Sequence, residues 1–195
     1  MGGRPEERRI IMRNQRTIWM AQTGIFLALL IIGQAVTRIF GNQFVTGSVN
    51  NMLFILVVIL CGISSAAILA VISPIIATLL GIGPQLWPLV PVIIIGNLVL
   101  VTIWHVIALK RKERSKPADV LALILAAAAK FFVLYFAIVK LVVPIILGLG
   151  EPQASTVSAL FSWPQLVTAL IGGLLAMLLS PILARAIPHN MRPTA

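Results

Sequence analysis

Acidic residues are scarce in this chain of 195 residues: Asp and Glu total 5, against 15 Lys and Arg. None lies in the interior of a long apolar run; they are Glu6, Glu7, Glu113, Asp119 and Glu151. A membrane-embedded carboxylate pair for general acid–base catalysis is therefore absent. The two histidines have no cysteine, histidine or aspartate at ligand spacing, so we expect no metal site.

Cysteine is almost missing as well, since Cys61 stands alone within an apolar run. A single cysteine excludes an internal disulfide. The phosphate-binding pattern G-x-x-x-x-G-K-[ST] is also absent, so we do not expect the chain to hydrolyse ATP. No serine–histidine–acid constellation is suggested. We predict that the protein is not an enzyme and needs no cofactor.

Charged residues of any kind make up only 10% of the chain, and hydrophobic residues make up 59%. Soluble domains carry about 25% charged residues, and apolar runs of about 20 residues are typical of membrane-spanning helices. We therefore predict an all-α membrane protein embedded in the lipid bilayer. The first run, from 17 to 40, exceeds the roughly 7–15-residue core of a signal peptide and has no clean A-x-A site after it, which favours a retained helix.

The net charge of +10 is concentrated next to the apolar runs. Basic residues flank them in three groups: Arg4, Arg8, Arg9, Arg13 and Arg16; Lys110, Arg111, Lys112, Arg114 and Lys116; Arg185 and Arg192. Basic residues beside membrane spans stay in the cytoplasm. This distribution favours a membrane topology signal and argues against nucleic-acid binding.

Four apolar runs are long enough to cross the bilayer: 17–40, 85–109, 119–149 and 164–186. The uncharged stretch 44–81 would be about 57 Å long as one helix, which is too long for one span. Two shorter helices fit it, with a break at "CGISSA" because Gly62 is a poor helix former and the serines favour turns or caps.

The total number of spans follows from the basic clusters. The N-terminal tail and "KRKERSK" both belong in the cytoplasm, so an even number of helices separates them. We therefore predict six transmembrane helices with both termini cytoplasmic. The predicted parts are a basic tail at 1–16, a membrane domain at 17–186 and a tail at 187–195, with outer connections at 41–47, 82–86 and 150–163.

Two lysines interrupt the fifth apolar segment, "LALILAAAAKFFVLYFAIVKLVVPIIL". Helix five is predicted to run from about Asp119 inside to about Leu147 outside. Lys130 then lies eleven residues from its start, or about 16 Å deep at the helical rise, which is too deep to reach either surface comfortably. Its surroundings could be carbonyls and water, or it could be held neutral by desolvation. Because intramembrane ionisable residues are functional candidates by default, we favour a polar network or an anionic ligand. Lys140 lies near the outer end and can extend outward.

Other polar and aromatic residues fall near Lys130 or toward the outer side. Asn97 has a depth close to that of Lys130. It either forms a hydrogen bond between helices or belongs to an outward-opening pocket. The outer tryptophans either form an interfacial belt or stack on a ligand ring. Trp19 and Trp104, on the inner side, are predicted belt residues. The predicted substrate-binding residues are Asn97, Lys130, Trp163, Gln165, Trp87, Gln85 and Asn50.

The first helix carries a stripe of small residues, Ala21, Gly24 and Ala28. The small-xxx-small spacing permits close approach of another helix. The stripe could therefore pack within this chain or against a partner subunit.

These features together resemble the substrate-binding S component of energy-coupling factor (ECF) vitamin transporters. The runs from "TGSVNNMLF" to "GNLVLV" and "FSWPQLVTALIGG", and the lysine of "AAKFF", are similar to that family. The resemblance implies capture of a vitamin or related micronutrient at the plasma membrane of a prokaryote. It also implies a transmembrane coupling (T) protein, two ATPase subunits that supply the energy, and a subunit that topples in the membrane. Helix one would contact the coupling protein, although Gly24 stands where the family often has alanine.

Two other functions stay open from the sequence. A structural or assembly subunit would associate with partners and have no small-molecule site. A membrane enzyme acting on lipid is disfavoured by the missing acids and ligand clusters. The sequence does not choose among vitamin-like substrates.

Overall fold

A computed structural model describes residues 5–109 and 115–186, and it contains only helices there. Side chains are described from 14 to 108 and from 115 to 185. The basic residues at 110–114 and the predicted tail at 187–195 lie outside the described residues. The helices are α1 (Pro5–Ile39), α2 (Gln43–Cys61), α3 (Ile63–Leu79), α4 (Leu89–Trp104, continued by the π-helical turn His105–Leu109), α5 (Lys116–Leu134, continued as a π-helix over Tyr135–Leu147), α6 (Gln153–Leu160) and α7 (Trp163–Ala186).

The predicted all-α membrane fold is confirmed. Among the described residues there are six long helices and the short α6, and five helices are long and apolar enough to cross a membrane. The remaining long helix, α3, has 17 residues and is apolar but shorter. The predicted break between α2 and α3 is present at Gly62, whose φ of +86° favours glycine.

Several boundaries differ from the prediction. Helix α1 already begins at Pro5, inside the predicted tail, and α2 begins at Gln43, inside the predicted connection 41–47. Helix α4 begins only at Leu89, so Gln85 and Trp87 lie in the connection before it. The connection 150–163 contains α6. These shifts arise because helix ends depend on capping: the Asn42 side chain accepts a hydrogen bond from the Phe44 amide and starts α2 early.

Helix α2 runs through the centre of the bundle, with every residue from Leu53 to Val58 buried. It packs closely against α7 because glycines lie at the contact. A Cβ atom on Gly172 would lie 2.6 Å from the Ser48 carbonyl oxygen, and one on Gly47 would lie 2.9 Å from Cγ2 of Thr168. Small residues allow such backbone approach between membrane helices. The contact brings the polar residues of α2 and α7 together.

Polar pairs join α1 to α3 along their length. Thr23 and Ser65 share a hydrogen bond of 2.8 Å, and Nε2 of Gln34 donates to Oγ of Ser73 over 3.2 Å. Side-chain hydrogen bonds between helices are a recognised source of association in lipid. These two pairs therefore hold α1 against the bundle, although most of its surface is exposed.

Two further predictions concern outward-facing residues. Trp104 was predicted to lie in an aromatic belt, which is wrong: it is fully buried in the apolar core. Ala21, Gly24 and Ala28 are exposed on α1, and a Cβ on Gly24 would meet no atom within 4 Å. The stripe therefore does not pack against another described helix of this chain.

Replacement of Gly172 by alanine should destabilise the protein. The added methyl group would overlap the α2 backbone, and overpacking of this kind costs about 1–3 kcal/mol. Thermal unfolding in detergent measures the effect, and Gly24→Ala, which adds the same methyl group in open space, is the matched control. Equal melting temperatures for the two variants would contradict the close contact between α2 and α7.

The predicted orientation places the α5–α6 connection outside and the start of α5 inside. Single cysteines at the exposed positions Glu151 and Lys116, in a Cys61→Ser background, test this on intact cells. We expect an impermeant maleimide to label position 151 directly and position 116 only after permeabilisation. The reverse pattern would contradict cytoplasmic termini.

Candidate functional site

A cavity of about 320 Å³ lies among the helices. Residues from α1 to α5 and from α7 line it, together with the connection before α4, the end of α6 and the segment that follows α6. Its lining includes Gln34, Arg38, Gln43, Asn50, Asn51, Phe54, Gly83, Ile93, Asn97, Lys130, Leu134, Phe161 and Gln165. The wall thus combines apolar side chains with amides and two cations. Cavities of roughly 300–1,000 Å³ with few polar groups are typical of small-molecule sites.

Lys130 is the central polar residue of the cavity. It is only 5% exposed, and its ammonium group donates to Oδ1 of Asn51 over 2.6 Å and to Oδ1 of Asn97 over 2.8 Å. The Phe54 ring centroid lies 5.9 Å from Nζ, within range of a cation–π interaction. Both acceptors are neutral amides, so no described side chain in this shell neutralises an ammonium charge.

The lysine uses part of its hydrogen-bonding capacity on these amides. An ammonium group has three N–H donors, and the two asparagine oxygens accept two of them. Of the acidic residues whose side chains are described, Asp119 and Glu151, neither lines the cavity. A third acceptor carrying negative charge would therefore complete the site electrostatically.

A chain of hydrogen bonds extends from Lys130 to α7. Nδ2 of Asn51 donates to Oγ1 of Thr168 over 3.3 Å, and this hydroxyl donates to the Gln165 carbonyl over 3.2 Å. Nε2 of Gln165 in turn donates to the Leu160 carbonyl over 3.0 Å, at the end of α6. The network orients the Asn51 amide, so its oxygen faces the lysine.

Two amide oxygens along the cavity wall have no hydrogen-bond partner among the described residues. They are Oε1 of Gln34 and Oδ1 of Asn50, and both are buried. Unsatisfied buried polar atoms are uncommon in folded proteins and call for an explanation. Their position in the wall of this cavity is consistent with a site that gains partners on binding.

The cavity brings together four of the seven predicted substrate-binding residues: Asn50, Asn97, Lys130 and Gln165. Trp87, Trp163 and Gln85 are exposed and do not line it. Trp163 packs against Phe44, with ring centroids 5.4 Å apart, and Gln85 donates to the Gly83 carbonyl over 3.1 Å. Stacking of the two tryptophans on a ligand stays a prediction to which the cavity adds no support.

Three important lining residues were not predicted: Gln34, Arg38 and Phe54. Asn51 was not among the predicted site residues either, yet its Oδ1 accepts a hydrogen bond from Lys130. Arg38 carried a signal that could have been used, because it is the one basic residue at the predicted outer end of helix one. Phe54 had no such signal, since it is one apolar residue in a long apolar run.

Comparison with known families identifies a match over most of the chain. The family model "ECF transporter, substrate-specific component" matches residues 19–184, which is most of the chain. The chain belongs to this family. A search of curated proteins found no significant match. A search of solved structures likewise found none.

Membership of the family establishes the general role of the protein. It is the substrate-capture subunit of an ECF-type transporter, a multi-pass membrane protein and not an enzyme. Such a subunit works with a T component and ATPase partners and takes a small-molecule substrate. The cavity around Lys130 is the natural candidate for that substrate's site.

The contact between Lys130 and Asn97 can be measured with a double-mutant cycle. Asn97→Leu should destabilise the protein by about 1–3 kcal/mol, because it leaves a buried donor short of an acceptor. In a Lys130→Met background the same change should cost clearly less. Asn50→Leu, which removes an oxygen without a partner, is the control. Additive losses of stability in the cycle would contradict the direct contact.

Proposed function

We propose that this protein captures a vitamin or related micronutrient that bears an anionic group. The observation that carries the proposal is the buried Lys130 amino group, which donates to two neutral amide oxygens in a cavity whose described lining residues include no carboxylate. A lysine in a bilayer-spanning helix costs roughly 2.5–3.5 kcal/mol by insertion scales. Binding of an anionic ligand by Lys130 would explain why the helix contains a lysine despite this cost.

The bound anion would accept the third ammonium N–H beside Asn51 and Asn97. Apolar parts of the ligand would lie against Phe54, Ile93 and Leu134, which line the same cavity. A volume of about 320 Å³ is at the lower end of the roughly 300–1,000 Å³ range for small-molecule pockets. The site therefore suits a compact metabolite better than a large cofactor. A purely structural subunit would need neither the cavity nor the buried lysine.

Docking to the T component would use the face of α1 that the rest of the chain leaves open. Ala21, Gly24 and Ala28 are exposed on that face. Small residues there would let a partner helix approach closely. We place the protein in the plasma membrane of a prokaryote, with both termini cytoplasmic, two ATPase subunits supplying the energy and the cavity opening outward.

Identification of the bound ligand is the direct experiment. The protein purified in mild detergent should retain a small molecule that native mass spectrometry detects and that contains a carboxylate, phosphate or similar group. Recovery of a tightly bound neutral or cationic ligand would contradict an anionic substrate. Absence of any ligand-dependent rise in melting temperature, across a panel of vitamins, would favour the structural alternative.

Substitution of Lys130 tests the residue that carries the proposal. Lys130→Met should weaken binding of the identified ligand at least about tenfold, which corresponds to about 1.4 kcal/mol. Isothermal titration measures it. Lys140→Met is the matched control, because Lys140 is exposed, lies over the Tyr135 ring and does not line the cavity. Unchanged affinity in Lys130→Met would exclude pairing of the lysine with the ligand.

A further inference from the structure

Arg38 is the second cation of the cavity, and it lies at the opposite end from Lys130. It occupies the last turn of α1, where its side chain is exposed, and its guanidinium group donates to the Gly81 carbonyl after α3. A guanidinium group has five N–H donors, so this bond leaves capacity for another acceptor. Arg38 is thus a rim residue with donors to spare.

The distance between the two cations follows from the helices. Lys130 is held by Asn97, which lies eight residues after the start of α4, or about 12 Å along that helix. Arg38 lies one residue before the end of α1, and α2 begins after a short connection. Asn51, which also holds Lys130, lies eight residues after the start of α2. The lysine and the arginine therefore bound the cavity at two levels roughly 10 Å apart.

Helix α1 directs a second residue to this cavity from the same face as Arg38. Gln34 is four residues earlier, so the two side chains lie one above the other on the helix. Gln34 donates to Ser73 and keeps an unpartnered oxygen. Both residues line the cavity. Helix α1 therefore contributes polar groups along the cavity wall, from the floor of the cavity to its rim.

The tendency of basic residues to lie on the cytoplasmic side of a membrane does not account for the position of Arg38. Basic residues mark the cytoplasmic side, whereas the connection of 40–42, that of 80–88 and residues 148–162 contain no lysine or arginine. Arg38 and Lys140 are therefore the two basic residues near this end among the described residues, and of the two only Arg38 lines the cavity. Its guanidinium plane suits a carboxylate or phosphate, which it can bind through two parallel hydrogen bonds.

We infer that the ligand carries an acidic group at each end, one paired with Lys130 at the floor and the other with Arg38 at the rim. This inference rests on the proposed function and extends it to the shape of the substrate. The middle of such a ligand would pass Ile93, which lines the cavity and lies four residues before Asn97 on α4, on the side of its start. Two anchors at a set distance would select ligands by length as well as charge.

Straight-chain dicarboxylates of four to ten carbons and their mono-amides test the inference in the purified protein in lipid nanodiscs. We expect one chain length to bind best, and its diacid to bind about tenfold more tightly than its mono-amide. In Arg38→Gln this difference should vanish, because the diacid should lose far more affinity than the mono-amide. Arg38→Lys should recover part of it, because it keeps the charge and loses the planar fork.

Three results would overturn the inference. One is equal affinity of diacid and mono-amide in the unchanged protein, and another is failure of every probe to bind. The third is an equal loss of both affinities in Arg38→Gln together with a lower melting temperature, since that would make the arginine a structural clamp on Gly81. If Lys130→Met still abolished binding of both probes, the proposed anionic substrate would stand and only the second anchor would fall.

Discussion

The ammonium group of Lys130, held between Asn51 and Asn97, is the interaction on which the polar interior of this protein depends. A cation in the middle of a bilayer must be surrounded by acceptors, because desolvation without compensation is expensive. The acceptors come from α2 and α4 while the lysine comes from α5, so three helices are tied at one depth. Because these acceptors are amides and not carboxylates, they contribute no negative charge beside Lys130.

That arrangement is possible only because α2 and α7 approach each other closely. Gly47 and Gly172 leave room at the contact, where Asn51 then reaches Thr168. The hydrogen bond to Thr168 turns the Asn51 amide so that its oxygen faces Lys130. Backbone packing at the glycines therefore controls the electrostatics of the cavity, one helix away. A bulkier residue at Gly172, which does not line the cavity, would act on the site without touching it.

The depth of a residue along its helix could be predicted from the sequence, whereas the side of the helix bundle that the residue faces could not. A rise of about 1.5 Å per residue is enough to place Asn97 and Lys130 at one level from their positions in the apolar runs. The neighbours that a side chain faces depend on how helices pack, which a uniformly apolar run does not reveal. For this reason Phe54 was missed, and Trp104 was predicted to lie in an interfacial belt although it is buried in the core. The outer residues Gln85 and Trp87 shifted away because the connection before α4 is longer than predicted.

The two halves of the bundle differ in a way that constrains transport. Polar residues surround the cavity on the side of Arg38, while the half around Trp104 is filled by buried apolar residues such as Leu100 and Val101. Within the described residues this core presents tightly packed side chains, and interiors packed to this extent do not open a passage without rearrangement. A ligand beside Lys130 can therefore leave by the route it entered far more readily than through the core. Delivery to the other side of the membrane then requires movement of the whole subunit or extensive repacking, which agrees with a subunit that relies on partners for transport.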